Sequence, residues 1–346
     1  MSNVQKTVQL TETAVDMVLS GTPGLALRRY NACRARLSPW EVVRLDQQLR
    51  EVHRKAALKK YRSKRSGVVA RMLCVKSQTP EQAIKSDPLI ALLFVHSHDG
   101  RLREVAVRSM PVEDADTAAH TALLLRCNDW VPQVRTVAID RLRDHAPNLS
   151  QAALAKLVVF ALARVGIWQC GGAEALAVLK DCPRWLSAME ESFATQADGP
   201  LMHVLKRQIL ESTLDHALNR LARSARSPIV RSTASECVLT EHVRWKSGYT
   251  RQWINKPMGI SRRVPIFEER DLEIDPRDCA AVIRAGARDT SAMVRKKVAD
   301  KFVRDGARDF SEEVKLLSED PAASVRSRME FFNRKFLTNK KGPEND

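Results

Sequence analysis

The chain has 346 residues, and its 57 Lys and Arg residues outnumber its 41 Asp and Glu residues, which gives a formal net charge of +16. Its 44% hydrophobic and 28% charged residues are ordinary for a globular protein and exclude a disordered or collagen-like chain. The longest uncharged stretches, Met17 to Leu27 and Pro88 to His98, have about 11 residues, against the roughly 20 that a membrane-spanning helix needs. We therefore expect no transmembrane helix, and because the first ten residues do not resemble a secretory signal, we expect a cytoplasmic protein.

Residues 1–80 form a strongly basic N-terminal region for which the sequence predicts helices. The segment Ser38-Pro39-Trp40-Glu41 has the hydroxyl, the proline and the glutamate of a helix start with a capping box. Apolar side chains then recur every three or four residues along one helical face, at Val42, Leu45, Leu49, Val52 and Ala56. The region contains 16 Lys and Arg residues but five Asp and Glu residues, so it supplies most of the net charge.

The basic residues of this region are concentrated between Arg50 and Lys76, where Glu51 is the single acidic residue. Several of them, such as Lys55 and Lys59, are four residues apart, and like charges at this helical spacing repel by about 0.2 to 0.5 kcal/mol per pair. An anionic partner would relieve the repulsion, whereas a solvated charged face would simply tolerate it. The candidate binding residues here are Arg50, Arg54, Lys55, Lys59, Lys60, Arg62, Lys64 and Arg65.

Further helix starts follow along the chain. Thr79-Pro80-Glu81-Gln82 repeats the capping-box pattern. Three Asp-Pro pairs place a carboxylate acceptor before a residue that lacks an N–H group, which is typical of a first helical turn. These pairs are Asp87-Pro88, Asp275-Pro276 and Asp320-Pro321. Because alternating apolar and polar runs of the strand type are nearly absent, we predict an all-α fold.

An internal repeat is the strongest organising signal in the sequence. Its motif is an acidic residue, a short spacer, an aliphatic residue followed by Arg, and a small or apolar residue three positions after that Arg. The five arginines are Arg103, Arg135, Arg231, Arg295 and Arg326, and the acidic positions hold Asp99, Asp129, Arg226 in place of an acid, Asp289 and Asp320. The arginines are 32, 96, 64 and 31 residues apart, close to multiples of 32. Two helices and two turns need about this many residues, and such a pair buries its apolar faces only when neighbours stack against it.

This motif resembles the HEAT and armadillo-like repeat families, and the resemblance extends over roughly 250 residues, from Asp87 to Phe336. It implies a right-handed α-solenoid of about six to seven stacked helical hairpins over residues 81–337. It also implies a structural role for the repeated arginines, each pairing with the Asp of an adjacent repeat to form a ladder. Such solenoids bind proteins or nucleic acids, so the resemblance leaves the ligand open. We expect residues 338–346 to be a flexible tail.

Residues 244–264 interrupt the repeats and are predicted to form an inserted basic and aromatic loop. They contain six Lys and Arg residues and no Asp or Glu, and they are broken by Gly248, Pro257 and Gly259. Basic side chains neutralise phosphates while aromatic rings stack on exposed bases, which is the composition of a nucleic-acid contact. Alternatively, the tryptophans anchor the loop to the solenoid by burial. The candidate binding residues are Arg244, Trp245, Lys246, Tyr249, Arg251, Trp253, Lys256, Arg262 and Arg263.

The sequence carries no recognisable catalytic, metal-binding or cofactor-binding signature. Seven Cys residues are scattered singly without a Cys-x-x-Cys pair, and we expect them to be reduced core residues. His96 and His98 are two residues apart, which places them on different helical faces. Cys170-Gly171-Gly172 lacks the Lys and the Ser or Thr of a phosphate-binding loop. We therefore expect no bound metal and no cofactor.

One enzymatic alternative comes from a second resemblance. Some alkylpurine DNA glycosylases are built from HEAT-like repeats and use Trp, Asp and Arg side chains on a concave face. Asp129, Trp130 and Arg135 are similar in type and lie at a repeat, although Asp129 and Arg135 also fit the structural ladder.

Three functions follow, in order of preference. The first is a non-enzymatic HEAT-repeat protein whose basic surfaces engage nucleic-acid phosphates, either DNA or RNA. The second is a scaffold or adaptor subunit that uses the same charges to bind an acidic partner protein within a complex. The third is the HEAT-like glycosylase. No membrane contact is expected, because the segment from Arg50 to Lys76 lacks the broad apolar face of an interfacial helix.

Overall fold

A computed structural model describes residues 2–65 and 79–336, with the side chains of residues 59–65 outside the described part. Within these ranges the chain forms eighteen α-helices and one antiparallel sheet of two strands. None of the helices in these ranges combines the length and the apolar character that crossing a bilayer requires. The predicted flexible tail, residues 338–346, lies outside the described residues.

The chain divides into two compact units, Met1–Met189 and Glu190–Asp346. The helices that begin in unit 1 are α1 (Asn3–Leu19), α2 (Gly24–Arg34), α3 (Pro39–Arg65), α4 (Pro80–Ser86), α5 (Ala91–Phe94), α6 (Gly100–Ser109), α7 (Thr117–Cys127), α8 (Pro132–His145), α9 (Gln151–Arg164), α10 (Gly172–Lys180) and α11 (Trp185–Thr195). Short 3-10 helices lie at Pro88–Ile90, Ala146–Asn148 and Val165–Ile167.

Unit 2 contains seven further helices and both strands. They are α12 (Leu201–Leu210), α13 (Leu218–Ser224), α14 (Pro228–Thr240), β1 (His242–Asn255), β2 (Ile260–Asp271), α15 (Pro276–Ala287), α16 (Ala292–Asp305), α17 (Ser311–Ser318) and α18 (Ala323–Phe336), with a 3-10 helix at Asp215–Ala217. Helix α14 packs against α16, and α16 packs against α18.

The predicted helix starts and apolar face of the N-terminal region are present in the structure. Ser38 and Glu41 exchange the hydrogen bonds of a capping box, with Glu41 Oε2 accepting from the Ser38 amide at 2.9 Å. Four of the five predicted apolar residues of α3 are buried, and the fifth, Ala56, is half-buried. Helix α3 packs against α1 and α7, so the N-terminal region shares the core of unit 1.

The Asp and Arg residues of the repeat pair as the sequence predicts at three of its five occurrences. The pairs are Arg103 with Asp129, Arg231 with Asp289, and Arg295 with Asp320. Each Arg donates two hydrogen bonds to the Asp of the next motif, and each of these Asp residues accepts a backbone N–H at the start of its own helix. Such bidentate charge-assisted pairs are both strong and directional, so they fix the position of one helix N-terminus relative to the next.

Arg135 and Arg326 depart from this arrangement. Arg135 donates to the backbone carbonyl of Asp129 at 2.8 Å, and Arg326 donates to that of Asp320 at 2.6 Å. Among the described residues neither arginine has a carboxylate partner. Gly171 packs closely against Arg135, since a Cβ at this glycine would lie 3.1 Å from the Arg135 Cδ atom.

Residues 244–264 are not a loop, and this prediction was wrong. They belong to a long β-hairpin made of β1 and β2, with a turn in which Gly259 adopts a left-handed φ of 70°. Valine, isoleucine, threonine and aromatic residues give both segments strand propensity. Pro265 is tolerated because each strand of a two-stranded sheet keeps one unpaired edge. The expected all-α class therefore holds for the described chain apart from this hairpin.

Candidate functional site

The base of the hairpin is held firmly by helices of unit 2. Arg270 donates to both carboxylate oxygens of Asp215, at 2.9 and 2.7 Å, and to the backbone carbonyl of Ile209. Val243 and Leu272 are buried, with 4% and 6% of their surface exposed. Beyond this base, nearly all side chains of the hairpin are exposed or half-exposed. The hairpin is thus a rigidly rooted element whose outer part is available to a partner.

Strand register sorts the hairpin side chains onto two faces. Arg251 lies directly opposite Arg263, and Tyr249 lies opposite Pro265. Directly opposed residues share a face, and residues two apart on one strand do so as well. Bulges in β1 at Ser247 and Ile254 break this alternation, because each inserts one residue that has no partner on β2.

One face combines four cations with three aromatic rings, and we call it the cation–aromatic face. Its cations and rings are Arg244, Lys246, Tyr249, Arg251, Trp253, Arg263 and Phe267. The register also places one acidic residue, Glu269, on this face, opposite Arg244 near the base. The distances from cation to ring centroid are 4.3 Å for Arg244 and Phe267, 3.7 Å for Lys246 and Tyr249, 4.7 Å for Arg263 and Tyr249, and 5.3 Å for Arg251 and Trp253. All four distances lie within the range of cation–π attraction.

Arg251 and Arg263 form the centre of this face. Like charges directly opposite each other destabilise a strand pair, and no carboxylate in the described residues pairs with either guanidinium. The neighbouring rings of Trp253 and Tyr249 supply partial compensation through their π-faces. An anion placed between the two guanidinium groups would remove the repulsion, so this position is suited to a phosphate.

The aromatic rings of this face remain exposed to solvent. The exposed fractions are 50% for Tyr249, 44% for Trp253 and 47% for Phe267. The Lys246 ammonium donates a hydrogen bond to the Tyr249 hydroxyl, and this bond together with the lysine charge lowers the pKa of the phenol. Burial as an anchor therefore does not account for Tyr249 and Trp253.

Three predicted residues lie elsewhere on the hairpin. Trp245 is half-buried on the opposite face, and with Val243, Arg244 and Cys237 it lines a cavity of about 300 Å³ at the base of the hairpin. Arg262 lies on the same face as Trp245 and donates to Gln252 Oε1 at 2.7 Å. Lys256 lies in the turn between the strands. The anchoring interpretation thus fits Trp245, while the binding interpretation fits the other two aromatic residues.

Phe267 was not among the predicted site residues. It lies three residues beyond the basic and aromatic segment, among acidic neighbours Glu268 and Glu269, and only the strand register brings it beneath Arg244. The β-branched and aromatic residues Val264, Ile266 and Phe267, which follow the turn-forming Pro257 and Gly259, are the sequence signals that could have indicated it.

The described part of the N-terminal basic patch already has acidic partners within its own helix. Arg54 makes two hydrogen bonds of 2.9 Å to Glu51, and Lys55 lies 4.0 Å from the same carboxylate. Arg50 lies 3.2 Å from Asp46. Arg50 and Arg54 are also four residues apart, and these acidic partners offset the repulsion between them locally. The side chains of Lys59, Lys60, Arg62, Lys64 and Arg65 lie outside the described part, as does the whole segment 66–78.

Asp129, the acid of the glycosylase resemblance, is occupied by structural bonds. Both of its carboxylate oxygens accept from Arg103, and one also accepts from Arg126 at 3.3 Å. Burial favours the neutral acid most strongly, but the bonds from Arg103 and the charge of Arg126 prevail and lower its pKa. Trp130 is 70% exposed, whereas Arg135 bonds the backbone of Asp129. The carboxylate belongs to the repeat ladder.

His96 also belongs to a buried charge network. Its Nδ1 atom lies 2.7 Å from Asp46 Oδ1, which accepts from Arg126 Nη2 at 2.6 Å as well. Burial opposes the ionisation of Asp46, yet Arg126 and His96 hold the pKa of this carboxyl well below its usual range. His96 is therefore a hydrogen-bonding partner of a carboxylate inside unit 1.

The described cysteines all carry free thiols. Cys127, Cys182 and Cys237 are buried, and burial raises the pKa of the first and last of these to about 12. Cys33 and Cys279 are half-buried, and Cys170 is exposed, so the expected core position is wrong for Cys170. Cys74 lies outside the described residues.

No protein-family profile matches the chain, and no curated protein matches it.

Proposed function

We propose that this protein binds single-stranded nucleic acid through the cation–aromatic face of its β-hairpin and does not catalyse a reaction on it. The observation that carries the proposal is the Arg251–Arg263 pair, which lies between the exposed rings of Tyr249 and Trp253. Guanidinium groups bind phosphate and aromatic rings stack on bases, and single strands expose both groups at once.

The spacing of these side chains supports a strand-like ligand. Residues two apart on a β-strand lie about 6.7 Å apart on the same face. Tyr249, Arg251 and Trp253 therefore alternate ring, cation and ring at even intervals along β1. Such an array contacts backbone and bases in alternation, as a binder without sequence preference requires.

We also propose that the helical pairs carrying the repeat motif are HEAT-like and stack with a right-handed rotation. The repeat spacing near 32 residues and the three Arg–Asp pairs support this. The role of this framework is to provide a stiff support for the hairpin, which is rooted in it through Arg270 and Asp215.

An acidic partner protein is the second candidate, because it would use the same four cations. The exposed rings favour nucleic acid over this alternative. Carboxylates need cations alone, whereas three half-exposed aromatic rings interleaved with those cations offer stacking surfaces that a base can fill.

Fluorescence anisotropy with labelled single-stranded DNA and RNA at several salt concentrations tests the proposal. The test variant is R251Q/R263Q, and its matched control is K256Q/R262Q, which removes the same charge from the turn and the opposite face of the same hairpin. We expect the test variant to weaken binding at least tenfold and to reduce the slope of log K against log salt by about 1.4, that is, about 0.7 for each lost phosphate contact. The control should keep most of the affinity.

A second comparison separates stacking from charge. Y249A/W253A should weaken binding while leaving the salt slope unchanged, since stacking is worth about 1 to 3 kcal/mol per base and releases no counterions. The proposal is wrong if wild-type protein binds no single strand at low salt, or if the test and control variants lose equal affinity. Either result would favour the second candidate, an acidic partner protein.

A further inference from the structure

The tip of the hairpin exposes an unusual group of aliphatic side chains. Ile254 is 65% exposed, Met258 is 72% exposed and Ile260 is 46% exposed. Ile254 is the unpaired residue of the second bulge, Met258 lies in the turn, and Ile260 begins β2. Three large apolar side chains grouped at the end of a projecting element indicate an interaction site.

The charge around this tip indicates what kind of partner it fits. Arg251, Lys256, Arg262 and Arg263 lie within a few residues of the aliphatic group, and residues 244–264 contain no acidic residue. A complementary partner is therefore apolar where it meets the tip and anionic on either side. The end of a nucleic-acid duplex has this character, because its flat terminal base pair is flanked by two phosphate backbones.

The hairpin is also anchored at its base, which a wedge requires. At its base the guanidinium of Arg270 is bonded to Asp215 through two hydrogen bonds, and the Leu272 amide donates to the Glu241 carbonyl at 2.8 Å. At its tip, Pro257 restricts the backbone of the turn. Force exerted on the tip is thus transmitted to the helices of unit 2.

We propose that the hairpin tip is a wedge that recognises a junction between single-stranded and duplex nucleic acid. Ile254 and Met258 press on the terminal base pair, as apolar side chains do in proteins that unstack base steps. The single strand that leaves the duplex follows the cation–aromatic face. This inference rests on the proposed function, to which it adds the form of nucleic acid preferred.

Binding to three DNAs of stated form tests the wedge. They are a single strand, a blunt duplex, and a duplex with a single-stranded tail of the same sequence and length as the single strand. The adenine analogue 2-aminopurine is placed in the terminal base pair next to the tail and, in a separate DNA, in the middle of the duplex. Wild-type protein should bind the tailed duplex at least fivefold more tightly than the single strand. It should raise the fluorescence of the terminal probe alone, because unstacking relieves its quenching.

The variant I254S/M258S keeps every charge of the hairpin and changes side chains that are already exposed. It should bind the single strand as wild type does, while losing the preference for the tailed duplex and the rise of the terminal probe. M293S, which alters an exposed methionine of α16, is the control and should behave as wild type. A matching unfolding midpoint shows that the variants are folded.

The two proposals fail in different ways. If the wild type binds the single strand and the tailed duplex equally and leaves the terminal probe unchanged, the wedge is wrong while single-strand binding stands. The same conclusion holds if I254S/M258S keeps the junction preference. If the wild type binds none of these three DNAs and no labelled single-stranded RNA, the proposed function is wrong and the wedge is wrong with it.

Discussion

Arg231 donates two hydrogen bonds, of 2.6 and 2.8 Å, to the carboxylate of Asp289, which lies 58 residues further along the chain. The bonds raise the pKa of the arginine. Burial works against ionisation of the aspartate, but the hydrogen bond from Arg231 prevails and its pKa is lowered. The pair joins two occurrences of one sequence motif across the hairpin insertion.

Removing Arg231 should destabilise unit 2 more than removing Arg326, the arginine at the same position of the last repeat motif. Arg231→Met leaves the Asp289 carboxylate without its charged partner, and we expect a loss of about 3 kcal/mol. Arg326→Met removes bonds to two backbone carbonyls, and we expect about 1 kcal/mol. Urea unfolding of the two variants measures the difference. Equal losses would contradict the role assigned to the bidentate pair.

Gly171 should not tolerate a side chain. A Cβ atom at this position would lie 2.1 Å from the Cys127 carbonyl oxygen, and Gly171→Ala therefore has to displace backbone. We expect a loss of about 3 kcal/mol, at the upper end of overpacking effects. Gly24→Ala at the start of α2 meets nothing within 4 Å and should stabilise the protein by about 0.5 kcal/mol. Thermal unfolding of both variants checks the opposite signs.

His53 should make folding stability depend on pH in the acid range. Burial lowers its pKa to about 3, and nearby His96 and His98 act in the same direction, while the bond to the Leu93 carbonyl opposes them. Between about pH 6.5 and pH 3 the unfolded chain binds a proton that the folded chain does not. Stability contributed by the neutral ring is thus present above pH 6.5 and is lost as the pH falls, at about 1.4 kcal/mol per pH unit.

His53→Gln keeps a donor for the Leu93 carbonyl but does not titrate. Urea unfolding at several pH values should show a shallower loss of stability in this variant. Below pH 6 the slope of its free energy of unfolding against pH should be smaller than that of wild type by about 1.4 kcal/mol per pH unit, the effect of one proton. His216→Gln, at a histidine with a 57% exposed side chain, is the control. An identical slope in wild type and His53→Gln would contradict a neutral buried His53.

Arg270 should control the rigidity of the hairpin. Arg270→Leu removes the two bonds to Asp215 and the bond to Ile209, so the hairpin loses its polar attachment while its buried Val243 remains. We expect amide hydrogen exchange in β1 and β2 to accelerate at least tenfold, which corresponds to about 1.4 kcal/mol of local stability. Arg262→Leu, whose side chain bonds Gln252 far from the base, should leave exchange at the base unchanged.

The predicted helices and helix starts are confirmed because the capping interactions that define them join residues only two to four positions apart. Thr79 and Gln82 form the reciprocal capping box that their spacing indicates, and Asp275 accepts the Arg277 amide at 2.8 Å. The pairing of the repeated Arg and Asp residues was expected from the resemblance of their motif to known helical repeats, and three of the five arginines form it. In contrast, the interpretation of residues 244–264 as a loop failed because two bulges hide the strand alternation.

The helical class, the helix starts and the concentration of charge and aromatic rings in residues 244–264 can be read from the amino-acid sequence alone. Which of these side chains share a surface depends on the pairing of β1 with β2. Lys246 and Tyr249 meet because the bulge at Ser247 rotates the strand, while Trp245 turns toward a cavity beside Cys237. The physical reason is that a face of a hairpin is set by pairing between strands, and that pairing joins residues distant in sequence.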